Sequence, residues 1–289
     1  MEPLTLHLWT CDVGAPSASA EDFARLLTGR VLESWAEGAD IVVFPEFSWL
    51  GAERFMEGPD RVAGVARWFW GRLWPEMRVS LARPDKAVVL GTVPFADADG
   101  RLFNRAPILA GGREIFQDKL HLTPWESVFS AGEILRVWEF RGLRVAVLVC
   151  LDVEVPELAV ALRRAEVDLL LVPSATENVL GMERVGRCAD ARAVELGCQV
   201  ALCPLVGRAE SALVDENIGR LELFSPSQSP FAERDRRVVG DVLTDGFHRL
   251  AVGLDPAAVW ACRDLPEETV PARLRPGGMK LEIEHNIRQ

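Results

Sequence analysis

Short apolar runs recur along the chain at residues 4–9, 41–45, 86–93, 106–110, 143–149, 167–173, 198–204, 220–224 and 248–254. Their lengths suit strands, and the continuous Val/Leu/Ile stretches among them suit strands covered on both faces. Between them lie segments with helical spacing. Residues 20–36 place Phe23, Leu26, Leu27, Val31 and Trp35 near a 3.6-residue period, and residues 59–82 repeat the theme with Val62, Val65, Trp68, Phe69 and Leu73. Two more helices are expected at 156–164, entered through Pro156, and at 183–196. Strands that alternate with helices imply an α/β layer architecture. The helix-poor stretch 86–115, with turns at Ala98-Asp99-Gly100 and Gly111-Gly112, reads as hairpins. Residues 206–247 are irregular, and Ser225 to Pro230 marks a loop. No internal repeat or linker-like break divides the chain. One domain over 1–265 is therefore expected, followed by a polar tail, 266–289, that packs on a partner subunit.

Composition narrows the class. Of the 289 residues, 49% are hydrophobic, enough for a sizeable core. The net charge of −11, with no basic cluster interleaved with aromatics, argues against a nucleic-acid or polyphosphate partner. No apolar stretch approaches the ~20 residues that a membrane span requires, and the opening residues lack the basic and apolar regions of an export signal. The six cysteines, at 11, 150, 188, 198, 203 and 262, form no CxxC pair or compact framework. They read as reduced thiols of a cytoplasmic protein with neither a metal site nor a cofactor.

Chemistry gathers where strands end. The run Leu143 to Val149 delivers Cys150 to its carboxyl end, before Pro156-Glu157 opens a helix. The run Ile41 to Pro45 delivers Glu46 in the same way, and Lys119 follows in Phe116-Gln117-Asp118-Lys119-Leu120-His121. Carboxyl ends of strands in open α/β layers are where ligands bind. Each residue alone has a bland reading: a core thiol, a surface carboxylate, a solvated lysine. Together they supply a base, a charge stabiliser and a nucleophile.

The blocks that hold them resemble the carbon–nitrogen hydrolase (nitrilase) superfamily over nearly the whole chain. Phe44-Pro45-Glu46-Phe47 looks like that family's first block, Asp118 to Glu126 (DKLHLTPWE) like its second, and Val147 to Glu157 (VLVCLDVEVPE) like its third. Val167 to Thr176 and Ala189 to Glu195 resemble the strand after the nucleophile helix and the helix motif ending in Glu. The resemblance implies a four-layer α-β-β-α sandwich with a Glu-Lys-Cys active site. In that scheme Cys150 attacks, Glu46 shuttles the proton, and Lys119 with the backbone N–H of Leu151 stabilises the oxyanion. Glu126 orients the lysine, and Trp125, Ser174 and Thr176 are candidate pocket residues. Leu151 stands where many relatives carry an aromatic, and Leu196 where they often carry Asn.

The implied activity is hydrolysis of a non-peptide carbon–nitrogen bond, an amidase acting on a small linear amide or carbamoyl compound with water. A nitrilase, an acyl-transferring member and a non-catalytic binding protein of the same fold are the alternatives. The resemblance also implies a homodimer. Helix 156–164, with Leu158, Val160 and Leu162, is taken to have apolar area to spare for the interface.

Overall fold

The computed structural model describes residues 2–211 and 213–274. Its first half contains strands β1 (Leu4–Trp9), β2 (Cys11–Asp12), β3 (Ile41–Phe44), β4 (Ala87–Leu90), β5 (Val93–Ala96), β6 (Leu102–Ala110) and β7 (Arg113–Asp118). The second contains β8 (Val137–Phe140), β9 (Leu143–Val147), β10 (Leu169–Ser174), β11 (Gln199–Arg208), β12 (Glu216–Asn217), β13 (Glu222–Phe224), β14 (Arg237–Val239) and β15 (Arg249–Leu254). The helices are α1 (Ala20–Ala36), α2 (Arg61–Trp68), α3 (Trp74–Leu81), α4 (Pro156–Arg164), α5 (Val179–Leu196) and α6 (Pro256–Ala261).

Two sheets result. One runs β15-β1-β3-β4-β6-β5 with β7 on β6, the other β14-β13-β11-β10-β9-β8 with β2 and β12 on β11. The period-2 alternation of each strand sorts its side chains into layers. Ile41 and Val43 of β3, with Ala87 and Val89 of β4, join Val145 and Leu169 of the other sheet in one core. Val42, Phe44, Val88 and Leu90 point the other way, onto Phe23 and Leu27 of α1 and Val65 of α2. On the far side, Ala159 and Leu162 of α4 and Val185, Ala189 and Ala193 of α5 cover the second sheet. The product is a mixed α/β sandwich in the order α-β-β-α, and it sets the carboxyl ends of β3 and β9 near each other.

Several expectations need correction. The run 86–93 is two strands, broken at Gly91, whose φ is 68°. A Cβ there would lie 2.1 Å from the Pro45 carbonyl oxygen, so only glycine lets β4 pass this close to the turn that carries Glu46. Segment 59–82 is not one helix. A π-type turn at Phe69–Leu73 separates α2 from α3, next to Pro75, which has no N–H to give an α-helical ladder. Helix α5 starts at Val179 rather than 183, because the Asn178 side chain accepts from the Gly181 N–H and caps it.

The apolar surplus expected on α4 shrinks to one of the three residues. Leu162 is fully buried and Leu158 packs against the core, leaving Val160 of the three exposed, at 40%. Positions 158 and 162 are one helical turn apart and share the inner face, and position 160 does not. Of the expected tail, residues 266–274 carry a 3-10 turn at Pro271–Arg273 that packs on α5 of the same chain, with Val270 buried. Residues 275–289 lie outside the described residues. No helix among the described residues is long and apolar enough to cross a membrane.

Candidate active site

Glu46 leaves the end of β3 into a turn where Phe47 adopts a left-handed conformation, φ 57°. The turn is pinned by its neighbour across the sheet. The Phe47 N–H donates to Thr92 Oγ1 at 2.8 Å, and Thr92 N–H and Ser48 Oγ both donate to the Pro45 carbonyl. Lys119 follows β7, its N–H bonded to the Asn104 carbonyl of β6 and its own carbonyl accepting from Gly132. Glu126 closes a 3-10 turn at Pro124–Glu126 as a capping box: Thr123 N–H and Oγ1 donate to Glu126 Oε2 at 2.9 and 2.8 Å. Cys150 begins the 3-10 turn after β9 with φ 49°, an uncommon conformation for a residue with a Cβ.

These segments bring their polar groups to one point. Lys119 Nζ lies 2.8 Å from Glu46 Oε1 and 2.6 Å from Glu126 Oε2, and all three side chains are buried. Asn104 Nδ2 donates to both carboxylates, at 2.9 Å to Glu46 and 3.2 Å to Glu126. The second Glu46 oxygen accepts from the Ala175 N–H at 3.1 Å, and the Cys150 thiol sits 3.5 Å from the Ala175 carbonyl. Residue 175 therefore holds the carboxylate with one backbone group and the thiol with the other.

Burial dominates the electrostatics. Desolvation raises Glu46 from its ordinary 4.5 to about 7; Lys119 opposes the rise and Glu126 adds to it. Burial and the Glu46 charge push the Cys150 thiol well up, against the pull of Lys119. Burial alone would lower Lys119, but Glu46, Cys150 and Glu126 together outweigh it and hold the ammonium charged. At neutral pH the resting site therefore holds a neutral thiol, a firmly charged lysine and a carboxyl group able to take or give a proton.

Above this centre opens a cavity of about 240 Å³. Glu46, Lys119, Glu126, Cys150 and Leu151 line it, as do Trp125, at 55% exposure near its mouth, and Thr176. Ser174 does not line it: as the last residue of β10 it is still in register with Pro204, 2% exposed, and the lining starts one residue later at Ala175. Among the described residues no group of three or more His, Cys, Asp or Glu side chains is arranged to hold a metal ion.

Sequence reasoning missed two residues. Asn104 was hidden inside a strand; an Asn amid Leu102-Phe103-Asn104 is a β-depleted residue, and that was the available signal. Asp152, two residues past Cys150, is buried and accepts from the N–H groups of Leu120 and His121 at 3.1 and 2.8 Å, from Val149 N–H at 3.3 Å, and contacts His121 Nδ1 at 3.0 Å. It straps the Lys119 loop to the Cys150 turn.

The family model described as carbon-nitrogen hydrolase matches residues 13–231. A probable hydrolase of Bacillus subtilis, YhcX, is 28% identical over 220 residues, which are 74% of this chain and 43% of that protein. An (R)-stereoselective amidase of Pseudomonas sp. is 30% identical over 205 residues, 70% of this chain and 71% of that one. The chain thus spans less than half of YhcX. Among solved structures, Nit3 of Saccharomyces cerevisiae, a member of branch 10 of the nitrilase superfamily, aligns with a TM-score of 0.68 at 20% identity, covering 94% of this chain and 97% of that one. An amidase from Nesterenkonia sp. aligns with a TM-score of 0.68 at 23% identity over 91% and 93% of the two chains. At such identities the likeness is one of fold.

Proposed function

This chain belongs to the carbon–nitrogen hydrolase family, and we propose that within it the chain is a cysteine-dependent amidase acting on a small amide through a thioester on Cys150. The observation that carries the proposal is the convergence of Cys150, Glu46 and Lys119 on one cavity. The size of that cavity, about 240 Å³, favours a small acyl group. Amidases among the relatives support the choice of bond.

In the proposed sequence the Cys150 proton passes to Glu46 as Sγ attacks the amide carbon, since a thiol with a raised pKa is a poor nucleophile until a base takes its proton. The carbonyl oxygen becomes an oxyanion. Two of the three Lys119 N–H donors are committed to Glu46 and Glu126, and the third, with the Leu151 N–H, receives it. Preorganised donors of this kind lower a barrier by ~3–4 kcal/mol. Glu46 then returns the proton to the departing nitrogen, and ammonia leaves a thioester. Water, deprotonated by Glu46, attacks the thioester; the acid departs and Cys150 recovers its proton. Glu126 and Asn104 do not exchange protons in this scheme. They fix the positions of Lys119 and Glu46.

Primary amides, ω-amides, N-carbamoyl compounds and nitriles, scored by ammonia release, define the reaction. With a good substrate, acid quench and intact-mass spectrometry should find an acyl group on Cys150, and hydroxylamine should divert it to a hydroxamate. Substrates that turn over without either sign would point to direct attack by water and overturn the covalent scheme.

A further inference from the structure

The lining of the cavity includes a residue with an unused donor. Asn217, the second residue of β12, is 1% exposed and lines the cavity, yet its Nδ2 has no hydrogen-bond partner among the described residues. Its backbone is fixed. Asn217 pairs with Gly207 of β11, while the next residue, Ile218, donates its N–H to the Thr176 carbonyl at 2.9 Å and accepts from Thr176 Oγ1 at 2.7 Å. Thr176 adjoins Ala175, whose backbone holds Glu46 and Cys150. The unpaired amide is thus held in register with the reacting thiol. A buried polar group without a partner is costly, and such groups are characteristically completed by water or ligand.

A second residue of the cavity lining also carries an unpaired atom. Glu154 gives its Oε2 to Arg184 at 2.6 Å, while Oε1 is buried without a partner among the described residues. The charges around the space are unequal. Glu46, Glu126, Glu154 and Glu177 face it against Lys119 and Arg184, and both cations are already paired with these carboxylates. An anionic acyl chain would meet an excess of carboxylates there, four against two cations that already have carboxylate partners.

We propose that the amide substrate carries, on its acyl side, a second uncharged polar group of the carboxamide kind, whose carbonyl accepts from Asn217 and whose N–H donates to Glu154. Asn217 is then a specificity-determining residue. The inference rests on the amidase reading of the site and adds the class of acyl group to it.

Three probes of similar length separate the possibilities: succinamide, with a distal carboxamide; butyramide, with an apolar end; and succinamate, with a carboxylate. The wild-type protein should favour succinamide over butyramide in kcat/KM by ~10–100-fold, the range expected when one buried hydrogen-bonding partner is lost. It should favour succinamide over succinamate at least as strongly. Asn217→Leu, close in size and without a donor, should bring the succinamide-to-butyramide ratio to near one. Asn217→Asp, which replaces the donor by an acceptor, serves as a second variant should the first not fold by circular dichroism. A merely structural role would lower both rates together and leave their ratio unmoved. Equal rates on succinamide and butyramide in the wild type, a preference for succinamate, or a ratio indifferent to both variants would overturn the subsite alone. Absence of ammonia from all three probes would overturn the amidase reading, and this inference with it.

Discussion

On the first sheet, Glu46, Lys119 and Glu126 form a closed group in which each charge has an opposite charge within 2.8 Å and Asn104 bridges the two carboxylates. On the second sheet, the Cys150 thiol is held more loosely, by a 3.5 Å contact to the Ala175 carbonyl and a weak interaction with the Glu46 carboxyl, and its backbone has a left-handed φ of 49°. The first region is held by its partners; the second is held by its chain. The difference matches what the proposed mechanism asks of the two. Groups that stabilise charge work best when they need not reorganise during reaction. A nucleophile must change partners twice, so a strong hydrogen bond to the thiol would have to be broken at each turnover. Its backbone conformation, of the kind that costs of order 1–3 kcal/mol, aims Sγ into the cavity without tying it down. Substitutions should therefore fail differently in the two regions.

The sharpest test is Cys150→Ala. Under the proposed mechanism, loss of the Cys150 thiol should lower turnover by ~10⁴-fold or more. Stability should move by only about 1 kcal/mol or less, as for a small substitution that strands no buried charge. Urea unfolding beside ammonia-release assays measures both. A large stability loss would show that the thiol is a packing element and break the contrast.

Lys119→Met tests the other region, where activity and stability should fall together. It leaves two carboxylates buried without their cation, a change that costs ~3–5 kcal/mol when one partner of a buried pair is removed. The cost should depend on pH. Glu46 has a folded pKa of about 7 against an ordinary 4.5, so the folded state binds the extra proton between those values. Its contribution to stability is full below about 4.5 and is lost as pH rises through 7. Removing Lys119 pushes Glu46 higher still and widens that window upward. The deficit of Lys119→Met relative to wild type should then be smaller at pH 5 than at pH 8. A deficit that is equal at both values would mean that the carboxylates are solvated in the variant.

The two regions were not equally legible in the sequence. Cys150 and Glu46 end apolar runs whose strand character is set by local composition, and the run pattern places both at strand ends without any knowledge of the fold. What holds them could not be read that way. Asn104 reaches Glu46 across a gap of 58 residues and Asp152 reaches the backbone of Leu120 across 32; such pairs exist only once the strands are in register. Gly91 likewise appears as a break in a strand until the Pro45 carbonyl is beside it. Ser174 and Thr176 were indistinguishable as pocket candidates, because only the length of the β10 pairing with β11 decides which of them faces the cavity. Leu158 and Leu162 looked like interface residues because helical spacing tells which residues share a face but not what that face meets.

The smallest effect should come from the strap between the regions. Asp152 uses its two carboxylate oxygens to accept from the backbone of the Lys119 loop and from Val149 at the entrance to the Cys150 turn. Burial raises its pKa, and the hydrogen bonds from Leu120 and His121 hold it back. Asp152→Asn keeps the shape but turns one acceptor into a donor facing backbone N–H groups, a mismatch of ~1–3 kcal/mol. A chain of this size should lose several degrees in Tm, at about 2–4 °C per kcal/mol. Asp152 touches neither thiol nor ammonium in the hydrogen-bond network, so its effect on catalysis is one of positioning. With Lys119 and Cys150 no longer fixed relative to each other, kcat should drop by ~10–100-fold with little change in KM, since a displacement of about 1 Å can cost that much. Alkylation of Cys150 by a small haloacetamide, which needs no alignment with Lys119, should slow far less than amide turnover. If alkylation and turnover fell in parallel, the thiol itself would be occluded, and Asp152 would belong to the second region rather than to the link between the two.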